Sequence, residues 1–151
     1  MLGMFRVFGT AAAQPEPAAL LQDLRLAGHF VEGKFTTAEQ DWVLAELIPE
    51  KADWAVQIDC YRRAEEGIRA KLNSWAAWLE TIESNPNHVW LMQHMISTEQ
   101  LYTLCPTGAE RPETEKLCVA ACRFLAGETA GVYQIDGQGF FAADGKLLLA
   151  E

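Results

Sequence analysis

Basic residues are scarce in this chain. Twelve Lys and Arg stand against twenty-one Asp and Glu, which leaves a formal charge of −9 over 151 residues. Phosphate backbones repel such a surface. No run of Lys or Arg makes a local exception, Arg62-Arg63 being the densest spot. Nucleic acid and anionic membrane are therefore not expected as partners. The charge is compatible with a basic protein partner, and equally with a surface that is acidic only to stay soluble.

Long apolar runs are missing too. The longest stretch without a charged side chain, residues 84–98, is broken by Asn85, Pro86 and Asn87. It falls short of the roughly 20 residues that a membrane-spanning helix takes, so no membrane span is expected. Residues 1–13 end in Thr10-Ala11-Ala12-Ala13, as a secretory leader can, but Arg6 cuts the apolar run and no cleaved leader is expected.

Cysteine is limited to Cys60, Cys105, Cys118 and Cys122, with no Cys-x-x-Cys pair. Cys118 and Cys122 are four apart on one expected helix, a poor geometry for a disulfide. Buried free thiols in a reducing cytoplasm are the expectation. No further ligands cluster near them, so neither a metal nor a cofactor is expected. There is no Gly-x-Ser-x-Gly, and Gly137-Gln138-Gly139 is a lone Gly-x-Gly inside a hairpin rather than a phosphate loop.

What is present is material for a core. Half of the residues are hydrophobic, 22% are charged, and there are five Trp, seven Phe and three Tyr. Disorder is excluded on that composition. The length fits one domain, 1–151, or two small halves with a shared core.

The chain is organised around residues 61–83, read as one helix. Tyr61, Ala64, Ile68, Leu72, Trp75, Leu79 and Ile82 recur at steps of three and four. Such a helix would be about 34 Å long. Gly67 inside it calls for close packing or a kink, and Ser84-Asn85-Pro86-Asn87 stops it.

Before it, MFRVFG (4–9) reads as a strand, and Pro15-Glu16-Pro17 opens a helix striped by Leu20, Leu21, Leu24 and Ala27 that Gly28 ends. Residues 30–35 read as a strand with a bulge or bend at Gly33. WVLAELI (42–48) reads as a strand covered on both faces, and 54–60 as one alternating Trp54, Val56, Ile58 and Cys60 inward.

After it, VWLMQHMI (89–96) reads as an interior strand and 97–104 as a short helical turn. Pro112-Glu113 opens a helix striped by Leu117, Ala121, Phe124 and Leu125 that ends at Gly127. Strands at 132–135, 140–141 and 146–150 are joined through Asp136-Gly137 and Asp144-Gly145, strong hairpin signals.

The two halves, 1–60 and 88–151, show the same order. Set at one offset, residues 35–46 and 140–151 share Phe35/Phe140, Ala38/Ala143, Leu44/Leu149, Ala45/Ala150 and Glu46/Glu151. Composition alone predicts about one match. The expectation is an α+β domain built by a tandem βαββ-type duplication. Its sheet is mainly antiparallel with the helices on one face, and the long helix bridges the halves.

Candidate site residues are few. His88 and His94, six apart on an expected strand, would stand roughly 20 Å apart, too far to share a metal. Glu46 and Asp59 sit within apolar strands, where a carboxylate is either at an exposed face or in a pocket with a raised pKa. Trp78 lies off the main stripe of its helix and is a candidate to line a groove or an interface.

The element order resembles that of the vicinal oxygen chelate enzymes, whose paired strand–helix–three-strand modules enclose a metal. That resemblance implies a histidine on a module's first strand and a glutamate on a late strand as ligands. His94 and Glu46 match two such positions. MFRVFG has no histidine, Glu151 is the last residue, and the long central helix is foreign to the pattern. The order also resembles tandem strand–helix–strand–strand proteins that bind small molecules or partner proteins between their halves.

The expected function is a non-catalytic acidic interaction protein that neutralises a basic protein partner in the manner of an immunity or inhibitor protein. The alternative is a small-ligand binder or enzyme using a groove between the halves. Trp78, Glu46, Asp59 and His94 are the candidate contacts, and self-association through an aromatic face or sheet edge is compatible with either.

Overall fold

The computed structural model describes residues 3–151. Met1 and Leu2, the start of the leader-like stretch, lie outside the described residues. The elements run β1 (Phe5–Gly9), α1 (Pro17–Leu26), β2 (Val31–Ala38), β3 (Asp41–Pro49), β4 (Trp54–Arg62), α2 (Ile68–Glu80) and α3 (His88–Ile96). They continue β5 (Gln100–Gly108), α4 (Pro112–Glu128), β6 (Gly131–Ile135), β7 (Gly139–Ala142) and β8 (Leu147–Ala150). All these strands form one antiparallel sheet in the order β2-β3-β4-β5-β1-β6-β7-β8. The fold is α+β, with helices packed against the sheet.

Alternation along the strands sends side chains to two cores. Phe5 and Val7 of β1, Val56 and Ile58 of β4, Tyr102 and Leu104 of β5, and Tyr133 of β6 face one side. There they meet Leu20 and Leu24 of α1 and Leu117, Cys118, Ala121, Cys122 and Leu125 of α4. Phe8, Leu101, Val132, Phe140 and Leu149 face the other side, against Ile68, Leu72, Ala76 and Leu79 of α2 and Leu91 and Met95 of α3. Placement on one face thus holds for α1 and α4 only. The sheet divides the helices into two pairs because β1, β5 and β6 are apolar on both sides.

Local signals set most boundaries. Pro17 and Pro112 occupy the first turns of α1 and α4, where a missing N–H costs nothing. Asp136-Gly137 and Asp144-Gly145 turn β6 into β7 and β7 into β8. The connection from β1 to α1 is held by side chains. Gln14 donates to the Trp42 carbonyl at 2.8 Å and accepts from its N–H at 3.0 Å. The buried Gln100 amide donates to the carbonyls of Ala11 and Ala13, and its Oε1 accepts from the buried Tyr102 hydroxyl. Among the described residues every buried side-chain N and O has a partner.

Several expectations are corrected. The central helix is shorter than 61–83: Tyr61 and Arg62 end β4, and α2 begins only at Ile68. Gly67 is not within it. Its φ of 85° places it in the left-handed region just before the first turn, which favours glycine. VWLMQHMI is helix α3 rather than a strand; a short apolar run does not separate the two by periodicity. Residues 97–104 are not a helical turn, because Gln100 onward forms β5, a central strand.

The sheet brings further corrections. WVLAELI is covered on one face only, with Trp42, Ala45 and Leu47 buried. The irregularity in the β2–β3 ladder falls opposite Thr36/Thr37, where Val43 of β3 is the extra residue, whereas Gly33 is where Leu21 packs onto β2. A Cβ there would lie 2.8 Å from Leu21 Cδ2. Cys105 is exposed, and the other three cysteines are buried.

The two halves are seated in opposite senses. The β2–β3–β4 meander joins the sheet centre through its last strand, β4, and β6–β7–β8 through its first, β6. The tandem duplication is not confirmed by this order, although the matched segments 35–46 and 140–151 both fall on hairpins.

Leu101→Ala, at a fully buried position of β5, is expected to cost about 2–5 kcal/mol. The reading is a lower urea midpoint at unchanged slope. Burial raises the pKa of Cys60 and Cys122 and pushes Cys118 up to about 12. A thiol reagent applied to the native protein is therefore expected to label Cys105 alone, with mass spectrometry locating the adduct.

Candidate functional site

A hollow with a volume of about 770 Å³ lies at one end of the sheet. Residues 28–54 line one wall: Gly28, His29, Phe30 and Val31, then Pro49, Glu50, Lys51, Ala52, Asp53 and Trp54. Arg111, Glu113 and Leu117, at the start of α4, line the other. What joins the walls is strand register. The β4–β5 ladder pairs Trp54 with Gly108, so the β3–β4 turn stands beside the chain entering α4.

The floor is apolar, with Trp54 and Leu117 buried and Val31 half-buried. The rim is charged. Arg111 Nη2 lies 3.1 Å from Asp53 Oδ2, an ion pair that spans the cleft from one half to the other. The two side chains are 52% and 64% exposed, so water screens the pair and it contributes little to stability. Arg111 also heads α4, its N–H donating to Thr114 Oγ1 at 3.0 Å. On the opposite wall the Arg25 guanidinium lies 5.3 Å from the Phe30 ring centre, and the Glu50 N–H donates to the Phe30 carbonyl.

A smaller hollow of about 260 Å³ shares Ala52, Asp53 and Trp54 with this cleft and adds Glu46. The two together present four carboxylates, Glu46, Glu50, Asp53 and Glu113, against Lys51 and Arg111.

The four residues singled out from the sequence do not form one site. Glu46 and Asp59 share the open face of the sheet on neighbouring strands, opposite Gln57 and Leu44 respectively. Both are half-buried, and Asp59 accepts from Gln57 Nε2 at 3.0 Å. Trp78, on α2, stacks on Phe140 with ring centres 6.2 Å apart and meets Trp75 edge-on at 6.1 Å. It does line a hollow, of about 540 Å³, with Lys71, Ser74, Trp75 and Glu151. Nearby, Arg6 lies 5.2 Å from the Trp75 ring centre and pairs with Asp136 at 2.6 Å. Burial pushes the Asp136 carboxyl up, but bonds from Gln134, Arg6 and the Met4 N–H outweigh it and hold the pKa below the usual range.

His94 is a structural residue of α3. Its Nε2 lies 2.8 Å from the Phe8 carbonyl, which can only accept, so Nε2 carries the proton. The ring packs against Trp90 at 5.2 Å. The ligand set implied by the vicinal oxygen chelate resemblance is not assembled, since His94 lies on a helix. Among the described residues no three of His, Cys, Asp and Glu converge to hold a metal.

None of the cleft residues was legible as a candidate in the sequence, and Glu46, which was, lines the smaller hollow beside it. In the sequence Pro49 to Asp53 is a turn, Arg111 ends a loop and Pro112-Glu113 opens a helix, and no local signal connects them. Among the described residues no helix is long and apolar enough to cross a membrane.

These features define an α+β protein with one eight-stranded antiparallel sheet, helix pairs on both faces and a cleft at one sheet end. Compared with protein families, with curated proteins and with solved structures, the chain finds no match.

Burial lowers the pKa of His94, and the Phe8 bond opposes this only in part. Below about pH 6.5 the unfolded chain protonates this ring while the folded chain resists. Stability is therefore expected to be constant in this respect above that pH. It falls as pH drops through the window down to the folded value. His94→Gln should flatten the slope of unfolding free energy between about pH 7 and 5, measured by urea melts across that range.

Proposed function

We propose that this chain is a non-catalytic binding protein that receives a basic segment of a protein partner in the cleft between its halves. The observation that carries this reading is the cleft itself: an apolar floor of Trp54, Leu117 and Val31 under a rim with excess carboxylate. A partner's Arg or Lys fits such a place. Its stem lies along the aromatic floor and its charge meets Glu50, Asp53 or Glu113. Arg111 already models the contact, since its guanidinium reaches across to Asp53. An incoming guanidinium takes over that carboxylate and releases Arg111 to water.

The charge of −9 supports the same reading, because it draws a basic partner in from a distance. The lining holds carboxylates, cations and rings but no hydroxyl or thiol, so no such nucleophile stands beside His29. An immunity- or inhibitor-like role, in which the acidic chain masks a basic surface of its partner, is the form this takes. The second reading, a small organic ligand in the same cleft, is favoured by its volume, which falls in the range of small-molecule pockets.

Titration with acetylated tri-arginine amide, followed by tryptophan fluorescence, separates the two. A signal that is lost in Trp54→Phe is expected. Affinity should drop at least about tenfold in Glu113→Lys and again on raising salt from about 50 to 500 mM. Binding indifferent to salt and to Glu113→Lys would remove the basic-partner reading, and a fluorescence change only with uncharged ligands would favour the second.

A further inference from the structure

We infer that edge strand β2 pairs antiparallel with β2 of a second copy of this chain, with Gly33 on the twofold axis. The inference does not rest on the cleft reading. It starts from the two edges of the sheet, β2 and β8. The β8 edge is four residues long, and Asn87 Nδ2 donates to its Leu148 carbonyl at 2.8 Å. β2 runs for eight residues, and among the described residues no strand pairs with its outer side. Such a strand is a template for another chain.

Which backbone groups face outward follows from β3. Val31 stands opposite Pro49, which has no N–H to give, and the Glu50 N–H donates to the Phe30 carbonyl just ahead of β2. These groups alternate in direction along a strand. Glu32 and Lys34 therefore turn theirs toward β3, and Val31, Gly33 and Phe35 turn theirs outward. Side chains alternate as well. Val31 and Phe35 pack toward α1 and its core, and Leu21 of α1 sits over Gly33. Glu32 and Lys34 are exposed on the other face.

Charge selects both the occupant and the register. With Gly33 opposite its own copy, Glu32 stands opposite Lys34 of the second copy, and Lys34 opposite its Glu32. Both are non-hydrogen-bonded pairs, in which side chains come closest. Moving the axis by one residue sets Glu32 against Glu32 or Lys34 against Lys34, and moving it by two leaves both without an opposite charge. Lys34 also lies opposite Glu46 of β3, so pairing places its ammonium between two carboxylates. A basic segment laid on this edge would instead meet Lys34.

In this register Val31–Phe35, Gly33–Gly33 and Phe35–Val31 are the hydrogen-bonded pairs, with about six backbone bonds between the copies. The two eight-stranded sheets become one continuous sheet. A single edge strand offers less than the roughly 800 Å² per partner of a standard interface, and each copy carries a charge of −9. The dimer is therefore weak, with a Kd on the order of tens of micromolar.

Sedimentation equilibrium of the full chain from about 1 µM to 0.5 mM, in about 150 mM salt, tests this. A monomer–dimer equilibrium is expected. Glu32→Lys and Lys34→Glu, each with a melting temperature near that of the parent, should alone weaken it about tenfold or more. An equimolar mixture of the two should recover the parent constant to within about threefold, because in the heterodimer every Lys again meets a Glu. Lys116→Glu, the same charge change on α4, should alter the constant less than about twofold. Amide hydrogen exchange by NMR reads the register in the parent chain and needs no variant. The N–H groups of Val31, Gly33 and Phe35 should slow as concentration rises, and those of Glu32 and Lys34, already bonded to β3, should not change. A chain that stays monomeric at about 0.5 mM overturns the proposal. So does a dimer whose two variants do not recover on mixing, or one that leaves those three amides exchanging as before.

Discussion

The pairing of β1 with both β5 and β6 is the constraint on which the rest of this structure depends. Five residues near the start of the chain, Phe5–Gly9, form two ladders at once, with Gln100–Leu104 on one side and Gly131–Ile135 on the other. Without them the β2–β5 and β6–β8 portions have no shared hydrogen bonds within the sheet. The same five residues feed both cores: Phe5 and Val7 fill one and Phe8 the other, all fully buried. Each large apolar side chain contributes about 1.5–3 kcal/mol on burial. A short strand is thus held by packing from both sides as much as by its ladders.

From that seam the two ends of the molecule take different characters. On the β2–β4 side the open sheet face is polar, with Glu46, Gln57 and Asp59 on neighbouring strands, as an antiparallel sheet allows when one face meets water. On the β6–β8 side α2 and α3 close over Phe8, Val132, Phe140 and Leu149. Charge follows this division. The carboxylates around the cleft lie where the β3–β4 turn meets α4, and the charge-free segment 84–98 lies on the opposite layer. Two surfaces of unlike chemistry are thereby kept apart by the sheet.

Polar side chains fix the connection between β1 and α1. Gln14, Gln100, Tyr102 and Cys60 lie where the chain passes from β1 to α1, and their bonds run to the backbone or to each other. Burial raises the pKa of Tyr102 and Cys60, so Tyr102 keeps the proton that it donates to Gln100 and Cys60 accepts from Gln14 as a neutral thiol. Satisfied groups of this kind specify one arrangement of the linker, because any slip leaves a buried donor or acceptor unpaired.

The sequence alone determined whatever local chemistry controls. Proline at a first helical turn, Gly28 after the last turn of α1 and Asp-Gly between apolar pairs act through the φ angles of a few residues, so α1, the start of α4 and both hairpins were legible; the end read at Gly127 was not, because α4 runs through it to Glu128. Strict alternation at Trp54, Val56, Ile58 and Cys60 marked β4 for the same reason. Only the tertiary structure decided where a segment is apolar all round. VWLMQHMI satisfies helix and strand alike, and it became α3 because one side of the sheet around Phe8 needed a cover. The cleft was hidden for a related reason: Asp53 and Arg111 are neighbours through the β4–β5 register, and pairing between distant strands leaves no periodic trace near either residue.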